Sequence, residues 1–99
     1  MAQFDVFVVR SSGSLVVDVQ SDLLDPLNTR VVVPLLAMDS GLIPAKRLNP
    51  VLKIGETDLI LATQLMAAVQ FAEFGDAVGN IAHERDTITA ALDMVFQGF

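Results

Sequence analysis

Hydrophobic residues change their spacing along this chain, from every second position near the start to every third or fourth at the end. Phe4-Asp5-Val6-Phe7-Val8-Val9 is rich in β-branched and aromatic residues and predicts a strand. Ser11-Ser12-Gly13-Ser14 is a turn, and Leu15 to Gln20 is a second strand, with Leu15, Val17 and Val19 on one face and Asp18 and Gln20 on the other. Asp22-Leu23-Leu24-Asp25-Pro26-Leu27-Asn28 supplies loop chemistry, Pro26 fixing its φ for a turn. Arg30 to Leu35 predicts a third strand. Pro34 cannot donate to a ladder, so it predicts an edge position or a bulge there. Met38 to Pro50, broken by Gly41, Pro44 and Pro50, reads as a long loop. Val51–Ile54 and Thr57–Ala62 flank Gly55-Glu56 as a hairpin. Thr63 to Phe74 satisfies both periods: Leu65, Met66, Ala68, Val69 and Ala72 suit a helix, while Val69, Phe71 and Glu73 suit alternation. Gly75 to Gly79 reads as a turn.

The longest periodic stretch closes the chain. From Asn80 to Phe99, Ile81, Ile88, Leu92, Val95 and Phe96 share one side of a helix and predict a core-facing stripe. His83, Asp86, Ala90, Asp93, Met94 and Gln97 form a second stripe that faces water or a partner. Asn80 suits the helix start, Glu84 and Asp86 suit its positive dipole end, and Gly98 suits a left-handed closure. Strands first and one main helix last predict an α+β, mainly β domain with an antiparallel sheet curled under the helix. There is no internal repeat or linker, and 99 residues make a single domain over 1–99.

Composition narrows the function. An apolar fraction of 53% exceeds what so small an interior holds, which predicts a buried subunit interface and hence an oligomer. No apolar run reaches the roughly 18 residues of a membrane span, and Met-Ala-Gln-Phe-Asp has no signal-peptide pattern. Zero cysteines exclude disulfides and thiolate metal sites and fit a cytoplasmic location. Twelve acids outweigh six basic residues for a net charge of −6, with Lys46-Arg47 the one adjacent basic pair. Such a chain lacks the basic footprint that displaces counterions from phosphates, so direct nucleic-acid binding is not expected and a protein partner is.

Motifs for chemistry are nearly absent. His83 is the one histidine, and no serine lies in a nucleophile-elbow motif. His83-Glu84 with Asp86 reads as surface polarity or a local cap before an acid–base pair. Asp22 with Asp25 reads as loop solvation before a cation site, and Met66 and Met94 as packing. No catalytic residue, metal or cofactor is assigned. The expectation is a binding domain.

Five blocks along nearly the whole chain carry a family resemblance. They are Gln3-Phe4-Asp5-Val6, Asp18-Val19-Gln20-Ser21-Asp22-Leu23-Leu24-Asp25, Val32-Val33-Pro34-Leu35, Pro50-Val51-Leu52-Lys53-Ile54-Gly55, and Ile81-Ala82-His83-Glu84 through Ala91-Leu92 to Phe96-Gln97-Gly98-Phe99. In these the chain resembles the CcdB toxins, the gyrase poisons of toxin–antitoxin modules. The resemblance implies an SH3-like barrel with a main antiparallel sheet, a small second sheet and one C-terminal helix. It implies a homodimer that wedges into the dimerisation region of the DNA gyrase A subunit and traps the enzyme on cleaved DNA without catalysing a reaction. A cognate, CcdA-like antitoxin would release the toxin, and the two together would repress their operon.

The resemblance also assigns residues. The gyrase-contacting tip of the family, a phenylalanine followed by tryptophan, glycine and isoleucine, falls on Phe96, Gln97, Gly98 and Phe99. Gln97 thus replaces a tryptophan, and Asp93 stands where an asparagine is expected. Gln3, Phe4, Ser21, Leu23 and Leu24 match the rest of the gyrase-facing surface, Phe4 being equally readable as core. Arg10, Lys46 and Arg47 are the cations available for an acidic antitoxin segment, or for solvating their loops. Two alternatives stay open: an inert dimeric relative, which Gln97 favours, and a same-fold toxin endoribonuclease, which the acidic charge disfavours.

Overall fold

The computed structural model describes residues 2–99. Its organising strand is β3 (Thr29–Ala37), paired on both edges, whose sequence TRVVVPLLA is almost continuously apolar because side chains on both of its faces enter a core, Val33 and Leu35 on one and Val32 on the other. On one edge lies β2 (Leu15–Asp18), pairing Val17 with Val33. The other edge is shared: β6 (Ala67–Gln70) pairs with Thr29 to Val32, and β5 (Thr57–Leu61) with Leu35 to Ala37. Pro34 therefore lies inside the sheet and not at its edge. Its carbonyl accepts from Ala62 N–H at 2.9 Å, and its missing donor falls in the gap between these two partners, where no ladder bond is lost.

Beyond β2 lie β1 (Asp5–Val9) and then β7 (Phe74–Asn80), while β4 (Val51–Ile54) borders β5. All these pairings are antiparallel. The small second sheet is the β4–β5 hairpin continued onto the far half of β3, so one strand serves both sheets and the whole curls into a half-barrel. Side-chain alternation gives the curled sheet two cores. Val6, Val17, Val33, Leu35, Leu52 and Leu61 face the helix α1 (Arg85–Gln97), meeting Ile88 and Ala91. Phe7, Val16, Val32 and Phe74 form a smaller cluster on the opposite face, with the Phe7 and Phe74 rings 5.4 Å apart.

Several expectations change. Residues 75–79 are strand, where a turn was predicted: β7 pairs with β1 through two register shifts. Its glycines and Asp76 hide any period, and pairing to β1 defines the strand more than its own side chains do. The ambiguous residues 63–74 are β6 between two single 3-10 turns, Thr63–Leu65 and Phe71–Glu73, which is why neither period persists. The helix begins at Arg85 and not at Asn80; a 3-10 turn, Ala82–Glu84, precedes it. Asn80 is not the helix cap expected of it: it ends β7, and its Oδ1 accepts from Ala82 N–H at 2.9 Å at the entry to the 3-10 turn.

Gly98 closes the helix as predicted, at φ +81° with its N–H on the Met94 carbonyl. The core stripe ends one turn earlier than predicted. Ile88 is fully buried and Leu92 packs against the core, but Val95 and Phe96 are exposed because the last turn of α1 runs past the sheet. Met38–Pro50 is irregular as expected, with Asn49 anchoring its end through Nδ2 to Leu61 O (3.0 Å) and Gln64 Oε1 (2.7 Å).

Candidate functional site

The end of α1 is an apolar tip without an interior. Phe96 and Phe99 are each 69% exposed, on either side of left-handed Gly98, and Gln97 is exposed between them. Asp93 and Met94 are half-buried one turn back. Nothing lies within 4 Å of where a Cβ on Gly98 would stand, so the tip is open to a close approach. Leu65 is exposed on the 3-10 turn Thr63–Leu65, which packs against α1.

A second group gathers around the N-terminal segment. Phe4 is 3% exposed with a left-handed φ of +71°, a conformation disfavoured for a bulky residue. Flanking hydrogen bonds hold it there: its N–H donates to Asp18 O at 2.6 Å and its carbonyl accepts from Ile81 N–H at 2.9 Å. The Arg85 guanidinium lies 5.2 Å from the Phe4 ring centroid, over one ring face. Phe4 is thus core, the alternative allowed for it from the sequence. Gln3 joins it to the next segment, its N–H donating to Asp22 Oδ1 at 2.8 Å and its Nε2 to Val19 O at 3.1 Å.

That segment is a one-turn 3-10 helix, Asp22–Leu24, whose start Ser21 caps by accepting from Leu23 N–H. It displays Leu23 at 90% exposure, with Leu24 and Leu27 also exposed. Beneath it is a buried polar hub that sequence reasoning missed. Arg30 donates through Nε (2.9 Å) and Nη2 (2.6 Å) to Asp18 Oδ2, and through Nη1 to Asp25 Oδ1 at 2.9 Å. Gln20 completes it: Nε2 donates to the Leu24 and Thr29 carbonyls and Oε1 accepts from Val31 N–H. Asp18 and Gln20 are both buried, as are Val17 and Val19 on the other side, and Gln20 lies beyond the end of β2, which stops two residues short of the predicted strand end. Asp22 and Asp25, read as loop solvation, both turn toward Arg30. The available signal was an arginine inside an apolar strand, on the same alternation face as Val32 and so beside Asp18 across the β2–β3 pairing.

Burial pushes the Asp18 carboxyl above its ordinary value; the hydrogen bonds from Arg30 and the Gln20 backbone pull it back only in part. No hydrogen bond joins the Gln3–Leu24 group to the helix tip among the described residues. Along α1, Arg85 and Phe96 are about 16 Å apart at roughly 1.5 Å per residue. The chain therefore presents the predicted gyrase-facing residues as two groups. The three predicted antitoxin cations also separate: Arg10 follows β1, its N–H on Glu73 O, whereas Lys46 and Arg47 lie in the loop before β4.

The described residues enclose no pocket and hold no cluster of three potential metal ligands. No helix among them is long and apolar enough to cross a membrane. Compared with protein-family models, the chain matches the CcdB protein family over residues 3–98. The chain belongs to the CcdB family. The curled antiparallel sheet with a single C-terminal helix agrees with that fold, and membership points to a toxin of a toxin–antitoxin module. In this CcdB-family chain the helix tip keeps the phenylalanine and glycine expected there as Phe96 and Gly98, with Gln97 between them.

Proposed function

We propose that this chain, as one domain over 1–99, is a toxin that binds the DNA gyrase A subunit as a homodimer and traps the gyrase–DNA cleavage complex. It acts by binding and not by catalysis. The observation that carries this reading is the helix tip of a CcdB-family chain: two phenylalanines held out in water around an open, left-handed glycine. Aromatic anchors of this kind are what dominate interfaces when they enter a partner's pocket. Phe96, Gln97, Gly98 and Phe99, with Asp93, form the primary contact; Gln3, Ser21, Leu23 and Leu24 form the second, with Phe4 supporting from the core. Dimerisation along α1 and the Leu65 turn covers Val95 and Met94 and presents both groups from two protomers on one surface.

A CcdA-like antitoxin neutralises the toxin, with Arg10, Lys46 and Arg47 offering charge to an acidic segment. The complex represses its own operon, the antitoxin supplying the DNA contacts that an acidic toxin lacks. Gln97 favours a second reading, an attenuated relative, because glutamine provides far less apolar contact than tryptophan. Induction without antitoxin, together with gyrase-mediated DNA cleavage by purified protein, tests both. Growth arrest with accumulated cleavage complex supports the toxin; a stable dimer that neither binds a gyrase A fragment nor arrests growth supports the attenuated relative and ends the first reading.

A further inference from the structure

The segment Asp22-Leu23-Leu24-Asp25 is inside out for a folded protein. Leu23 is 90% exposed, whereas the two flanking carboxylates turn toward one buried guanidinium. Side chains three positions apart nearly eclipse in a 3-10 turn, so Asp22 and Asp25 leave the turn on the same side. Arg30 waits on that side, Nη1 at 2.9 Å from Asp25 Oδ1 and Nη2 at 3.9 Å from Asp22 Oδ1. The two leucines between them are left pointing away from it.

No residue of the turn is buried, so apolar packing does not hold it. Its supports are polar: the Ser21 cap, the Gln20 amide on Leu24 O, the Gln3 N–H on Asp22, and Arg30. Arg30 is itself immobilised by Asp18, both side chains being wholly buried. A free turn would relax to shelter its leucines, since exposed apolar surface is disfavoured. The ionic staple opposes that relaxation.

We propose that Arg30, through Asp22 and Asp25, is a positioning residue that displays Leu23 and Leu24 to the protein partner. This rests on the reading above that this surface faces the gyrase A subunit, which is the occupant the staple serves. Asp25→Ala removes one leg of the staple while keeping the Asp18–Arg30 pair, and Asp25→Asn restores an acceptor without the charge. Wild type, Leu23→Ala, Asp25→Ala, Asp25→Asn and the Leu23→Ala/Asp25→Ala double variant are titrated against a gyrase A fragment containing the dimerisation region. In parallel, amide exchange is followed at Leu24, Asp25 and Leu27, whose N–H groups close the turn.

The staple predicts a loss of about fivefold to tenfold for Leu23→Ala. For Asp25→Ala it predicts a loss of up to about fivefold, set by the roughly 0–1 kcal/mol of a half-exposed pair, and for Asp25→Asn a smaller one. The double variant should lose no more than Leu23→Ala, because Asp25 acts through the leucine. It also predicts faster exchange at those three amides in Asp25→Ala, with β3 unaffected. Additive losses in the double variant, or unchanged exchange, overturn it. If wild type does not bind the gyrase fragment, the functional reading fails by itself, and exchange alone decides the staple: faster at the turn supports it, unchanged refutes it.

Discussion

Replacing Arg30 by methionine should be among the most damaging single changes in this fold. Arg30 and Asp18 are both 0% exposed, and Arg30 donates three hydrogen bonds, two of them to Asp18. Methionine fills similar space but leaves the Asp18 carboxylate with the Gln20 N–H as its remaining donor. Removing one partner of a buried ion pair costs about 3–5 kcal/mol. The third bond adds little, because Asp25 is half exposed and such a pair contributes roughly 0–1 kcal/mol. The variant has one escape, protonation of Asp18, whose carboxyl burial already holds above its ordinary value. Loss of Arg30 raises it further, so the folded variant is relatively better off at low pH and loses stability as pH rises through that folded value. Urea unfolding at fixed protein concentration, at pH 5 and pH 8, measures this. The expected result is a loss of about 3–5 kcal/mol at pH 8 and less at pH 5. Asp18→Leu with Arg30→Met should recover most of it, since an apolar pair carries no desolvation cost. A single-variant loss under about 1 kcal/mol, or a double variant no better than Arg30→Met, would refute the reasoning.

Wild type itself carries a pH signature: Asp18 is raised from 3.8, so folding takes up a proton, and its contribution grows as pH falls through the folded value. The stability gap between wild type and Asp18→Asn should therefore widen on acidification from neutrality, and a gap that narrows contradicts it. Ile88→Ala empties a fully buried position under α1 and should cost roughly 2–5 kcal/mol in the same unfolding assay. At the tip, a Cβ on Gly98 meets nothing within 4 Å, but the residue must adopt φ +81°, so Gly98→Glu should cost about 1–2 kcal/mol in the unfolding assay and weaken binding to a gyrase A fragment. Gln97→Trp should strengthen, and deletion of Phe99 weaken, binding to a gyrase A fragment; equal affinity in both would show that the tip is not the contact. Sedimentation at low micromolar concentration should show a dimer, and a species of only 10.6 kDa would refute the proposed interface.

Local chemistry was enough to read the hairpins, the closing helix and its glycine stop at Gly98, because strand and helix periods and turn residues act over a few positions. The family was legible only as a resemblance carried by five blocks along the chain. Residues whose state depends on a distant partner were not legible. β7 reads as a turn in isolation and becomes a strand because β1 offers it a ladder. Pro34 reads as an edge marker and sits instead inside the sheet, where two partner strands leave a gap. Val95 and Phe96 keep the period of Ile88, yet α1 outruns the core that would have buried them, and how far a sheet extends beneath a helix is not a local property. The candidate site divides along the same line. The tip was visible as two aromatics around a glycine at the chain end. The hub was not: Asp18, Arg30 and Asp25 come from different elements, and a charge becomes a clamp only when folding removes the water that would otherwise solvate it.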